Sequence, residues 1–156
     1  MNIITRITEA LGGLLVFALV AITAAAVVAR YVVGTPIQWT EEMSGFLLIW
    51  IVFLGAIACE ARDGHLTIDA VTMLMPEGAI RWLNVVVGLA SVALLIAMAW
   101  LGYELAVKAA LKKTQLLRIS WFWFDIAVTV GGIGMALIGL RRVWRTLRGT
   151  PAPELG

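Results

Sequence analysis

Few side chains in this sequence could do chemistry. It holds one histidine, His65, and one cysteine, Cys59. A single copy of each excludes an internal disulfide, a Cys/His zinc site and a bis-histidine haem within one chain. Cys59 reads as a small packing residue near a helix end. Inside the apolar stretches the one ionisable residue is Asp125, six positions beyond Ile119 and so roughly 9 Å along a helix begun there. A charge at mid-bilayer costs about 2.5–3.5 kcal/mol, so this carboxylate must be paired, hydrated or protonated. Two readings are open for it: part of a proton or ion path, or a shallow carboxylate hydrogen-bonded to a neighbouring helix or subunit. His65 follows Arg62, Asp63 and Gly64 and precedes Asp69, a polar knot that either fixes a turn or titrates. Trp50 lies deep in an apolar run, where its indole N–H requires a partner within the chain or on a second subunit. No nucleophile, base and oxyanion donor occur together. The chain is read as no enzyme, with no catalytic, substrate-binding or metal site and no cofactor.

These residues are positioned by elements that are apolar to an unusual degree. Of 156 residues 62% are hydrophobic and 14% charged, more apolar surface than a water-soluble domain of this length could cover. Four runs stand out, at about 11–29, 43–59, 82–103 and 119–140. Each approaches the roughly 20 residues that cross a hydrocarbon core of about 30 Å. Tyr31, Trp39, Trp100, Tyr103, Trp121 and Trp123 gather toward one membrane face, Trp82 and Trp144 toward the other, as an interfacial aromatic belt does. The first run follows Arg6 and ends in small residues, as a secretory signal does, but it is long for one and is read as a span. The fold expected is all-α and integral to the membrane: a single four-helix domain over residues 1–149, then a flexible tail, 150–156.

Between the second and third spans, Leu66, Ala70, Val71, Leu74 and Met75 can share one helical face, which predicts a short amphipathic segment in the interface. Glu41 and Glu42 open the second helix, where its dipole favours carboxylates. Glu104, Lys108 and Lys112 are spaced by four, so the third helix is expected to continue past the membrane with charges stacked on one side. Ala21, Ala25 and Ala29, then Gly55 and Cys59, then Gly132 and Ala136 recur every fourth residue and predict close helix approach. The basic residues all flank apolar runs, which excludes a nucleic-acid-binding face and makes lipid headgroups their surroundings. Arg6, Arg62, Arg81, Arg141, Arg142, Arg145 and Arg148 fall on the side of the termini, against Arg30, Lys108, Lys112, Lys113 and Arg118 on the other. The balance favours cytoplasmic termini.

Gln38-Trp39-Thr40-Glu41-Glu42, then Trp50, then Phe53-Leu54-Gly55-Ala56, then Gly64-His65-Leu66-Thr67-Ile68-Asp69 and Pro76 together resemble the small-subunit, DctQ-type family of TRAP transporters. The likeness is densest from Trp39 to Pro76. It implies a multi-pass protein of the bacterial inner membrane, partnered by a large multi-span permease and an extracytoplasmic, periplasmic binding protein, in ion-coupled uptake of carboxylated solutes such as dicarboxylates. The small subunit would be a scaffold with no substrate site. Trp39, Glu41, Glu42, Trp50, Arg62, His65 and Asp69 would then be candidates for the subunit interface. Ile119-Ser120-Trp121 departs from the proline that many relatives carry before the fourth helix. An autonomous four-helix exporter would need a carboxylate in the first span, and Leu11 to Ala29 has none. A generic membrane assembly subunit stays open beside the family reading.

Overall fold

The computed structural model describes residues 3–61 and 77–148. Arg62, His65, Asp69, the amphipathic segment between the second and third spans and the tail lie outside the described residues. Among the described residues there are four α-helices: α1 (Ile3–Val28), α2 (Thr40–Ala61), α3 (Glu77–Ala109) and α4 (Phe122–Leu147). All four are long and apolar enough to cross a membrane.

Except at the start of α4, which begins only at Phe122, the helices overrun the apolar runs, because hydrophobicity marks the lipid and helix ends are set by breakers and caps. A five-residue π-helical segment, Ala29–Val33, prolongs α1 through Arg30 and Tyr31. It stops at Gly34, whose φ of 75° is a left-handed conformation that glycine adopts at little cost. At the start of α2 the Thr40 hydroxyl donates to the Ile37 carbonyl at 2.7 Å, and Glu41 and Glu42 fill the first turn. The 33 residues of α3 would extend about 50 Å, well beyond a hydrocarbon core. α3 ends at Ala109, so the stacked charges are Glu104 and Lys108, 2.7 Å apart, while Lys112 falls in the turn beyond.

Among the described residues the helices pack in a row, α1–α2–α4–α3, each chiefly against its neighbours in that order. The result is a slab and not a closed bundle. α4 lies between two partners and is the most buried, whereas the apolar span of α1 contributes nothing to the buried interior. Small residues let α4 be approached from both sides. Phe53 and Ile57 of α2 lie over Gly131 and Gly134, while Ala99 and the Leu95 carbonyl of α3 lie against Gly132. Gly132 and Ala136 are buried, as their spacing predicts. The other two small-residue stripes are not used this way: Ala21, Ala25, Gly55 and Cys59 are exposed, and nothing stands within 4 Å of a Cβ placed at Gly55. Cys59 therefore lies near a helix end, as expected, but packs into no described interior.

Candidate functional site

The polar and aromatic residues singled out in the sequence gather along α2 and the turn that joins α3 to α4. That turn is short and heavily hydrogen-bonded. Lys113 and Ser120 form an antiparallel bridge, with the Thr114 N–H donating to the Ile119 carbonyl at 2.9 Å and the Trp121 N–H to the Lys112 carbonyl at 3.0 Å. The buried Thr114 hydroxyl accepts the Ile119 N–H at 3.1 Å. Ser120 ties both ends of the turn: its hydroxyl donates to the Ala110 carbonyl at 2.7 Å and accepts the Phe122 N–H at 3.3 Å. A proline at this position could supply neither bond. Arg118 takes the left-handed conformation that closes the turn, with φ at 52°.

Glu42 holds this turn from across the slab. Its carboxylate accepts the Leu116 N–H at 3.0 Å and the Leu117 N–H at 2.9 Å, each by one oxygen. The residue thus has a specific acceptor role in addition to its place near the helix dipole. Glu41, beside it, is exposed, and Trp39 is 41% exposed just outside the helix. Ten residues into the second helix, Trp50 finds its indole partner within the chain, donating to the Trp123 carbonyl at 3.2 Å. Around it the Phe46 ring meets the Phe124 ring edge-on at 5.1 Å and lies 6.4 Å from the Trp50 ring. At the far end of α2, Arg142 donates to the Glu60 carboxylate and to the Glu60 carbonyl, both at 3.3 Å. Sequence reasoning missed that pair. Its only signal was an acid and an arginine each closing an apolar run at the same membrane face.

Asp125 occupies the first turn of α4, closer to the start of its own helix than the apolar run suggests, because α4 begins only at Phe122. The residue lines an apolar groove with Leu101 and Gly102 of α3. One helical turn on, the Thr129 hydroxyl is buried without a hydrogen-bond partner. Among the described residues no three His, Cys, Asp or Glu side chains converge as a metal site would require. These contacts tie α2, α3 and α4 to one another.

Comparison with known proteins gives these contacts a context. The family described as tripartite ATP-independent periplasmic transporters, DctQ component, matches residues 19–149. The sialic acid TRAP transporter small permease protein SiaQ of Vibrio cholerae is 26% identical over 147 residues, covering 94% of this chain and 85% of SiaQ. The sialic acid TRAP transporter permease protein SiaT of Haemophilus influenzae is 30% identical over 135 residues, which is 86% of this chain but only 22% of SiaT. The chain thus spans about a fifth of SiaT and most of SiaQ. Because the family match takes in nearly all of the four-helix slab, the chain belongs to the DctQ component family of the tripartite ATP-independent periplasmic transporters, as a multi-pass membrane protein.

Proposed function

We propose that the chain is the small membrane subunit of a TRAP transporter and serves as a scaffold, without catalysis or solute binding of its own, for a large permease that takes up carboxylated solutes from a periplasmic binding protein. The observation that carries this reading is the row of helices. Among the described residues each helix packs chiefly against its neighbours in the row, which leaves two broad apolar faces for another membrane protein. SiaT supports the same reading, since there the matching segment belongs to a chain four to five times its length. The relatives are named for sialic acid, a carboxylated sugar; the proposal for this chain extends to carboxylated solutes as a class and to ion-coupled symport.

In this reading Trp39 and Glu41 meet the large permease directly, while Glu42 and Trp50 position α2 from within. Arg62, His65 and Asp69 are proposed contacts at the opposite membrane face, on the strength of their motif. Both termini face the cytoplasm, following the arginine balance. Alkaline phosphatase fused after Lys113 would then be active, and inactive after Arg148. The reverse pattern would invert the topology. The functional test is uptake into liposomes with and without the large permease and binding protein. Uptake requires all three, and Trp50→Ala lowers both recovery of the complex and uptake while leaving solute affinity of the binding protein unchanged. Saturable uptake by this chain alone would overturn the scaffold.

A further inference from the structure

An open groove of about 420 Å³ runs along α3 and is completed by Asp125 and Val128 of α4. Leu94, Met98, Leu101 and Leu105 line it at spacings of four, three and four residues, so one face of α3 forms its wall over roughly 16 Å, or three turns. Leu94 and Leu101 are 68% and 62% exposed, and the buried Gly102 beneath them packs on Val128 and Thr129 of α4. Its one ionisable residue is Asp125, and every other residue of the lining is apolar.

That carboxylate lies below the membrane surface. Phe46 meets Phe124 edge-on and Phe53 lies over Gly131, which puts Asp125 level with Leu47, about one turn inside the apolar run that opens at Met43. The dipole of α4 favours an acid in its first turn, but no described N–H or side chain donates to this one. At the matching level of α3 the basic residue is Lys108, already held by Glu104 at 2.7 Å.

Resting on the reading of the chain as a small TRAP subunit, we propose that this groove receives a transmembrane helix of the large permease, which presents a lysine or arginine to Asp125. Charge decides the occupant. A phospholipid would bring an anionic phosphate toward the carboxylate, whereas a basic side chain on a helix neutralises it.

The test uses the full transporter with p-benzoylphenylalanine placed at Met98 or Leu101, together with Asp125→Asn and Asp125→Lys. Irradiation crosslinks both groove positions to the large permease. Asp125→Lys lowers recovery of the complex by about tenfold or more, and Asp125→Asn by less. An acidic residue substituted for the basic one on the crosslinked permease helix restores recovery with Asp125→Lys. An intact complex that yields no groove crosslinks, or only phospholipid adducts, overturns the proposal and leaves the subunit reading standing. Failure of the unsubstituted chain to copurify with the permease overturns both.

Discussion

Gly131→Ala is the most direct test of the packing that makes α4 the centre of the slab. A Cβ at this position would lie 2.9 Å from both Cβ and Cγ of Phe53. Because Phe53 Cβ is fixed to the backbone of α2, rotation of the ring cannot relieve the clash, and the two helices must separate. Overpacking of this kind costs about 1–3 kcal/mol. Alanine recovers about 1 kcal/mol in helix propensity, leaving a net loss of roughly 1 kcal/mol. For a chain of this length that corresponds to a fall in Tm of about 2–4 °C. Gly55→Ala is the control, since nothing lies within 4 Å of its new Cβ and only the propensity gain remains, a rise of about 2–4 °C. Gly134→Ala should fall between the two, because the atom it meets first is the Ile57 Cδ1, the far end of a movable side chain. Thermal unfolding of the purified subunit in detergent, followed by intrinsic fluorescence, measures all three. An unchanged or raised Tm for Gly131→Ala, or a greater loss for Gly55→Ala, would refute the arrangement of α2 against α4.

Glu42→Ala should speed amide hydrogen exchange at Leu116 and Leu117, with Glu42→Gln intermediate because its single carbonyl oxygen can serve one N–H well; equal protection in all three proteins would remove the clamp. Glu60 and Arg142 have side chains 16% and 27% exposed, so a double-mutant cycle with Glu60→Gln and Arg142→Gln should return a coupling of about 1 kcal/mol, and a value near zero would mean the pair is incidental.

Much of the architecture is legible in the sequence because lipid demands long apolar helices, and runs of 17 or more such residues have few other uses. The ends are less legible. Val33 and Glu77 belong to helices although they lie outside the apolar runs, since a helix may continue into water wherever no breaker stops it. The order α1–α2–α4–α3 is hidden for a deeper reason. In lipid the faces of a helix toward protein and toward solvent are both apolar, so hydrophobic periodicity no longer marks the side that packs. Size carries the information instead, and only partly: Gly132 and Ala136 do lie in an interface, whereas the equally regular Gly55 and Cys59 do not. Trp50 was readable as a residue that needs an acceptor, and Glu42 as one that suits a helix start. That their partners are Trp123 and the 116–117 backbone follows from chain placement more than 70 residues away, which no local pattern encodes.

A subunit that braces another must itself resist shear between its helices, and the ties along α2 are spaced to supply that resistance. Glu42 fixes its first turn to the α3–α4 turn, Trp50 fixes its middle to the start of α4, and Glu60 fixes its last turn to Arg142. From Glu42 to Glu60 is 18 residues, roughly 27 Å, close to the thickness of the hydrocarbon core. A slide of α2 along α4 by even one turn would break all three, and between them Phe53 and Ile57 would have to leave the low ground at Gly131 and Gly134. Two of the three ties end on backbone groups of the partner element, which hold their positions whatever rotamers nearby side chains adopt. α2, α4 and α3 are the helices that these three ties and the turn between α3 and α4 hold together. The groove at Asp125 opens on that portion. A permease helix seated there would bear against a surface whose position is set by main-chain hydrogen bonds and close-packed glycines, as a fixed support requires.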